Sequence, residues 1–311
     1  MQPSELGRRH NSAGHRLGQI IGDWWERRVV AELLGEVASD LNLFLDHRFV
    51  SRTARASKIL WKDEEGNFVD YDFVLELEGS ADKQGIPVAF IECFWRGGAR
   101  HSKDKARDDT NKLLPMRDTY PTARLLAIAA CGEFTVPARE YVSTRRVDLF
   151  FIPKSKIIEA FKAVGINIDY PDNLSEDEKQ SLLKDLTVSF TPEKEVEVAR
   201  VLREMAGEGT FSSFKRRVLA ALGALPQEIR IIESAHSDLV VFDSVSVVSN
   251  FLNQPTFSHT GADVSYEYSI TYSDGFDFAR TLKNIDEVKA LHAQVEHLVR
   301  HVESVLRLSP L

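Results

Sequence analysis

Two acidic residues stand in apolar stretches of the chain, where a hydrophobic core disfavours charge. Asp72 lies in FVDYDFVLEL and Glu92 lies in PVAFIECFW. Both stretches are rich in β-branched and aromatic residues, and the polar EGSADKQG between them is typical of a turn, so the sequence predicts a β-hairpin. If this hairpin is symmetric about Asp82, Asp72 faces Glu92, and the Cβ atoms of such opposed residues lie about 4.5–5.5 Å apart.

Two opposed carboxylates are suited to binding a metal. They repel each other in a partly dry site, and the pKa of one of them rises unless a cation lies between them. Mg²⁺ prefers oxygen ligands and is commonly held by one or two carboxylates together with substrate phosphate. Asp72 and Glu92 are therefore a candidate Mg²⁺ site. The alternative is that both acids lie at strand edges and are simply solvated.

Composition limits the class of protein to which such a site could belong. The chain has 311 residues, 43% of them hydrophobic and 28% charged, which is typical of a globular protein with one large core or two. No apolar run is long enough to span a membrane, and the N-terminal segment has no apolar signal core, so we expect a cytoplasmic protein. Cys93 and Cys131 each lie in a predicted strand and are expected to be free thiols.

A basic segment directly follows the predicted hairpin. Between Arg96 and Arg117 there are seven Lys or Arg residues and three Asp, although the whole chain has a net charge of −8. Such a segment could be an ordinary solvated helix face with i,i+4 ion pairs. Its place after the two acids favours contact with phosphates, for which the candidates are Arg96, Arg100, Lys103, Lys105 and Arg107.

The order of the elements around the hairpin predicts an α/β sheet with helices on both faces. An amphipathic helix opens this part of the chain and ends near Gly35 or soon after, and two short strands precede the hairpin. A helix from Ser102, as N-cap, to about Met116 follows the hairpin. A buried strand, a short helix with Pro137 in its first turn, a second buried strand and a helix ending at Gly165 come next.

These residues and this element order resemble the PD-(D/E)XK nuclease superfamily over about residues 15–155. Asp72 matches the Asp of the motif, Glu92 matches its second acid, and Glu26 matches the acid that many members place on the first helix. The resemblance implies a restriction-endonuclease-like mixed sheet flanked by helices, within a nuclease domain over residues 1–170. It also implies that one or two Mg²⁺ ions, with Mn²⁺ as a substitute, are held by Asp72, Glu92 and Glu26.

The motif lysine is missing, because Phe94 stands two residues after Glu92. In the superfamily this lysine orients the attacking water or stabilises charge on the phosphate. Lys103 and Lys105 open the following helix, and we predict that one of them replaces it, with Lys103 favoured. Arg96 lies on the same strand face as Phe94, but a guanidinium is better suited to clamping phosphate.

Residues 171–311 are predicted to form an α+β domain that serves dimerisation or DNA recognition and ends in a long helix. The polar segment from Tyr170 to Gln180 reads as a linker. In the last helix, apolar residues repeat with heptad spacing at Val288, Leu291, Val295, Leu298, Val302 and Val305. So short a repeat could equally pack within its own domain, but cutting both strands of a duplex is simplest for a dimer, so this helix is the candidate dimer interface. His292, His297 and His301 could indicate zinc, but exposed polar positions are the simpler interpretation.

The sequence thus predicts a Mg²⁺-dependent DNA endonuclease, of the type II restriction kind, that cuts double-stranded DNA as a homodimer. Phosphate-binding and dinucleotide-binding glycine motifs are missing from the sequence, so no nucleotide cofactor is expected. Two alternatives remain open. One is a catalytically silent DNA-binding or scaffold protein on the nuclease fold, and the other is a nuclease of DNA repair or of mobile elements.

Overall fold

The structure is a computed structural model that describes residues 12–171, 174–234, 238–254 and 264–308. Its first half is built on a five-stranded mixed sheet with the order β1-β4-β5-β6-β7. The strands of this half, in chain order, are β1 (Phe44–His47), β2 (Leu60–Lys62), β3 (Phe68–Asp70), β4 (Phe73–Leu77), β5 (Ile86–Arg96), β6 (Leu125–Gly132) and β7 (Asp148–Pro153). Strands β5, β6 and β7 are parallel to one another, and β1, β4 and β5 are antiparallel neighbours.

Helices cover both faces of this sheet, which confirms the predicted α/β class. They are α1 (Ala13–Trp24), α2 (Ala31–Asp40), α3 (Ser102–Thr119), α4 (Val136–Thr144) and α5 (Lys154–Ala163). One face packs against the first helices and α5, and the other packs against α3 and α4. The opening helix runs past Gly35 to Asp40, with a π-helical segment, Trp25–Val30, between α1 and α2.

The register of the hairpin agrees with the register predicted from the sequence. Phe73 pairs with Ile91 and Leu75 pairs with Ala89, as a turn centred on Asp82 requires, and a bulge then shifts the register near Glu76. The prediction of one continuous strand over residues 68–77 is wrong, because the strand is interrupted at Tyr71 and Asp72. Strand β3 pairs with β2 in a separate two-stranded sheet, so the backbone leaves one sheet and joins another at this point.

The predicted N-cap of α3 is also wrong. Ser102 is the first residue of the helix, and His101, in the left-handed region at φ 61°, precedes it without a capping side chain. The Ser102 hydroxyl instead donates to the carbonyl of Glu133 and accepts from the N–H of Thr135. This hydroxyl ties the start of α3 to the segment after β6.

The second half contains a four-stranded antiparallel sheet with the order β11-β10-β8-β9. Its strands are β8 (Pro226–Glu233), β9 (Asp238–Phe242), β10 (Tyr266–Tyr272) and β11 (Asp277–Leu282), and its helices are α6 (Glu176–Ser189), α7 (Pro192–Ala206), α8 (Glu208–Gly223), α9 (Val245–Leu252) and α10 (Ile285–Leu308). Part of the predicted linker is helical, because Ser175 forms a capping box with Glu178 at the start of α6.

The main hydrophobic core contains residues from both sides of the domain boundary predicted between residues 170 and 171. Helices α6, α7 and α8 bury their apolar residues in the same core as α1, α2 and α5, whereas α9 packs with the second sheet. The division into two domains therefore stays a prediction, while the main core draws on both halves of the chain. Of the helices in the described ranges, none has the length and apolar character needed to cross a membrane.

Helix α10 corrects the prediction of a dimer interface. All six heptad positions are buried within the chain itself, at 8% exposure or less. Val288, Leu291 and Val295 pack in the core of the second sheet, and Leu298, Val302 and Val305 pack in the main core. The repeat arises because one helix fills two internal cores in succession, so this apolar face is not available to a second copy.

Candidate functional site

The candidate site lies where the hairpin meets α3, and its two central acids are positioned by different means. Glu92 is in the middle of β5 and is 3% exposed, on the face whose neighbours Phe90 and Phe94 pack under α3 and α4. Asp72 precedes β4, and its carboxylate accepts the backbone N–H of Cys93 at 2.8 Å. The interruption of the strand therefore lets a side-chain oxygen take the place of a backbone carbonyl, which holds Asp72 beside Glu92.

A lysine from α3 lies against Glu92. The Nζ atom of Lys112 is 2.7 Å from Oε2 of Glu92 and 5.0 Å from the centre of the Tyr71 ring. The Tyr71 hydroxyl donates to the backbone carbonyl of Lys112 at 2.8 Å. Tyr71, next to Asp72 in the chain, thus fixes the turn of α3 that carries Lys112.

A second lysine on the same helix face pairs with a third buried acid. The Nζ atom of Lys105 is 2.6 Å from Oδ1 of Asp109, which is 3% exposed, and it lies 5.2 Å from the centre of the Phe94 ring. Residues 105, 109 and 112 follow one another at intervals of four and three, which places them on one side of α3. Phe94 therefore occupies the strand position of the motif lysine while Lys105 covers its ring.

Glu26 approaches the site from the opposite side of the sheet. It lies in the π-helical segment, and its Oε2 accepts from Nε of Arg48 at 2.6 Å, while Nη2 of Arg48 also binds Asp23. Glu26 is close enough to Asp72 for the charge of one to raise the pKa of the other. The structure thus brings the three predicted acids into one electrostatic neighbourhood, with Glu26 neutralised by an arginine.

The acids hold their protons more tightly than free carboxyls. Burial, followed by repulsion from Asp72, raises the pKa of Glu92 to about 8, even though Lys112 lowers it. Burial and the same repulsion raise the pKa of Glu26 to about 7. Burial also raises the pKa of Asp72, against the N–H of Cys93 and the charges of Lys112, Lys105 and Arg48. Strongly shifted acids in contact with one another are typical of functional sites.

Glu76 provides a comparison within the same sheet. It is fully buried, and Arg52 binds both of its oxygens, at 2.5 and 2.7 Å, while the N–H of Gly85 donates to one of them. Glu92 differs, because Lys112 binds Oε2 and, among the described residues, Oε1 is buried without a partner. Glu92 therefore has one unpartnered acceptor oxygen, whereas both oxygens of Glu76 are bound.

The donor set fits a hard cation only in part. Carboxylate oxygens are the right ligands for Mg²⁺, and Oε1 of Glu92 and Oδ2 of Asp109 are buried without partners. Within the described residues, however, no three or more His, Cys, Asp or Glu side chains are grouped so that they could hold a metal ion. Asp72 and Glu92 could thus supply two carboxylates, and water and phosphate oxygens would have to complete the coordination.

The predicted phosphate-binding residues are distributed differently around this centre. Lys103 is exposed, and none of the described acids lies within ion-pair distance of it, so its preference over Lys105 is not supported. Arg107 pairs with Asp104 and Asp108 on the outer side of α3. Arg96 donates to the carbonyl of Arg100. Arg96 and Arg100 line a 520 Å³ groove, together with Trp95 and with Gly14 and Gly18 of α1.

The three histidines of α10 have three separate partners and do not form a zinc site. His292 is 3% exposed and contacts the Tyr268 hydroxyl at 2.8 Å, which corrects the expectation that all three would be exposed. His297 contacts Glu78, and His301 contacts the carbonyl of Leu41.

Sequence reasoning missed Lys112, Asp109 and Arg48. Lys112 and Asp109 were recognised only as members of i,i+4 pairs on a solvated helix. The signal that identifies them is the polar face formed by residues 105, 109 and 112 on a helix whose next face carries the buried Ala106 and Leu113. Comparison of the chain with family models, with curated proteins and with solved structures finds no match.

Proposed function

We propose that the protein is a Mg²⁺-dependent DNA endonuclease of the PD-(D/E)XK type that hydrolyses phosphodiester bonds, with restriction of double-stranded DNA as its role. The observation that carries the proposal is the contact between Lys112 and Glu92 beside Asp72. An acid pair and a lysine at one end of a hairpin are the groups that the motif requires. Here the lysine comes from α3 instead of from the strand.

Each side chain then has a defined part in the reaction. Asp72 and Glu92 would hold the Mg²⁺ ion, which supplies an activated water and neutralises charge on the phosphate. The Lys112 ammonium, which lies beside Glu92, would contact a nonbridging phosphate oxygen and stabilise the negative charge that develops there. Burial lowers the pKa of Lys105, but the charge and the hydrogen bond of Asp109, with the charges of Glu92 and Asp72, raise it overall and hold Lys105 in its charged form.

The role proposed for Glu26 is to position other groups. It is already bound by Arg48, so it would act on the site through its repulsion of Asp72. Arg96 and Arg100, at the groove beside the end of β5, are suited to holding the phosphates that flank the scissile bond. A homodimer remains part of the proposal, since cutting both strands of a duplex is simplest with two sites. Its interface would have to lie away from the apolar face of α10.

One observation favours a different function, that of a silent DNA-binding protein on the same fold. Lys112 already neutralises Glu92 in the absence of any ligand, and a stable pair of this kind could replace a metal. In that case the acids would be structural, and the basic surface alone would be functional.

Incubation of plasmid DNA with the protein in Mg²⁺ or in EDTA distinguishes the two functions. Cleavage only with Mg²⁺ is the expected result, and discrete fragments would support restriction. The Asp72→Asn variant should abolish cleavage while it retains the fold, because the amide oxygen can still accept the N–H of Cys93. Asp104→Asn, at an exposed acid on α3, is the matched control and should cleave normally. Shifted but intact DNA with the unmodified protein would contradict the nuclease proposal.

A further inference from the structure

A second basic surface lies beside the main sheet, and none of the residues that line it is one of the candidate acids Asp72, Glu92, Asp109 and Glu26. It is an open groove of about 880 Å³ at the amino ends of β6 and β7, bounded by α3, α4, α8 and the turn between β10 and β11. Strand β7 is the edge strand of the sheet, and β6 separates it from β5. The groove shares no lining residue with the candidate site.

Arginine dominates the charge of this groove. Its ionisable lining residues are Arg117, Arg124, Arg139, Arg146, Arg217 and one acid, Asp148, so five positive charges face one negative charge in a chain whose net charge is −8. Repulsion within the cluster is evident at Arg117, where burial and the charges of Arg146 and Arg124 lower the pKa of the guanidinium. Concentrated like charges are costly to hold together unless a ligand neutralises them.

Two of these arginines are available to a ligand. Arg217 is bound to Asp148, and Arg124 is bound to Asp274 and stacked 3.5 Å from the centre of the Tyr272 ring. Among the described residues, no carboxylate lies within ion-pair distance of Arg139 or Arg146. Arg139 lies over the Phe151 ring at 5.0 Å, which presents a flat guanidinium toward the groove.

The backbone at Arg146 favours a functional explanation for its side chain. Arg146 follows Arg145, the C-cap residue of α4, and has the left-handed conformation at φ 56°. Glycine is the usual residue at this position of a helix end, because a side chain makes the conformation unfavourable. The Arg146 carbonyl also accepts from Nη2 of Arg117 at 2.7 Å, which fixes the strained segment at the rim of the groove.

We infer that this groove binds the phosphate backbone of a nucleic-acid strand. Guanidinium groups bind phosphate with paired hydrogen bonds, Ser143 and Ser213 add hydroxyl donors, and guanidinium planes stack with bases. An acidic peptide added to the edge of β7 is disfavoured, since Nη2 of Arg217 already donates to the carbonyl of Leu149. The inference is independent of cleavage, because no residue of the acidic site takes part.

Binding of a short fluorescein-labelled single-stranded DNA in EDTA, at several salt concentrations, tests the inference. Arg146→Gly and Arg139→Gln should each make the slope of log K against log salt shallower by about 0.7. Arg300→Gln, at an arginine on α10 with 71% side-chain exposure, is the matched control and should leave the slope unchanged. Because glycine suits the positive φ, Arg146→Gly should melt at the same temperature as the unmodified protein or higher, so loss of binding cannot be attributed to unfolding.

Two further measurements need no groove variant. Phenylglyoxal labelling followed by peptide mass spectrometry should show Arg139 and Arg146 protected by the DNA. Competition by polyglutamate or by a nucleoside triphosphate should be weak at matched charge. The inference would be overturned by unchanged slopes in both variants or by a lack of protection of the two arginines. It would also be overturned if polyglutamate or the nucleoside triphosphate competed as strongly as unlabelled DNA. The Asp72→Asn protein should retain the full salt dependence, so failure of the nuclease proposal and failure of this inference give different results.

Discussion

Lys112 of α3 contacts Glu92 of β5 across 2.7 Å, although 20 residues separate them and the nuclease motif has its lysine two residues after the second acid. The contact places an ammonium group beside Glu92, on the strand face where Phe94 is buried at 7% exposure. We therefore propose that a lysine on the helix takes the part of the strand lysine that the nuclease motif would require.

The first prediction concerns this substituted lysine. Lys112→Met should lower the turnover of DNA cleavage by about 10²–10³, since it removes one contact to the developing charge, while DNA affinity changes little. Lys103→Met is the control at an exposed lysine of the same helix and should cleave at the normal rate. Single-turnover cleavage and binding in EDTA measure the two effects separately. Equal losses in both variants would show that α3 contributes only general charge.

The stability of the metal-free protein should depend on the protonation of Glu92. Its pKa is raised from 4.5 to about 8 by burial and by Asp72, so between these values the folded state binds a proton that the unfolded state does not. This contribution to the free energy of unfolding is fully present below pH 4.5 and is lost as the pH rises through about 8, with a slope of at most about 1.4 kcal/mol per pH unit.

Glu92→Gln tests this dependence, because the amide cannot titrate. The stability of the variant relative to the unmodified protein should increase steadily from acidic to mildly alkaline pH in urea unfolding experiments. Glu267→Gln, at an exposed acid of β10, serves as the control. A constant difference across the pH range would mean that the carboxyl of Glu92 is not held protonated.

Metal binding should also depend on the loss of the proton from Glu92. Because Glu92 must lose its proton to act as a ligand, Mg²⁺ should raise the melting temperature more at pH 8 than at pH 6. Asp72→Asn should abolish the Mg²⁺-dependent increase at both values. This thermal measurement does not depend on catalysis. An identical increase in the variant would place Mg²⁺ binding elsewhere on the protein.

A substitution in the last helix tests its internal packing. Leu298 is 5% exposed in the main core, so Leu298→Ala should lower the free energy of unfolding by about 2–5 kcal/mol. The sedimentation coefficient should be unchanged, since the apolar face of α10 packs within the chain. His297→Ala, at the helix position just before Leu298, is the control for helix propensity. Dissociation of an oligomer by the leucine substitution would contradict the internal assignment.

Much of the hairpin could be predicted from the sequence, because alternating apolar residues and a polar turn determine its register. The pairing of Phe73 with Ile91 follows directly from the turn centred on Asp82. The interruption at Asp72 could not be predicted, since it depends on β3 pairing with β2, a contact between segments whose short strands have little periodicity. That interruption is what turns the Asp72 carboxylate toward Cys93.

The candidate site residues also differ in whether the sequence alone could identify them. Asp72 and Glu92 stand out in the sequence because acids are conspicuous among apolar neighbours, and Glu26 follows only from the resemblance to the nuclease superfamily. Lys112 was not found, because a lysine on a polar helix is ordinary until the packing of that helix is known. The heptad repeat of α10 was misinterpreted for a related reason. Apolar spacing shows that a helix face is buried, but it does not show which surface covers it.

The position of α10 has a consequence for the order in which the protein acquires its structure during synthesis. Leu298 and Val302 complete the core that contains Trp24 and Ile21, so the earliest and the latest helices of the described chain belong to one packed unit. The core around Trp24 is therefore complete only after α10 has been synthesised. The two sheets share this helix, and we expect them to unfold in a single cooperative transition, with similar amide-exchange protection in β5 and β10.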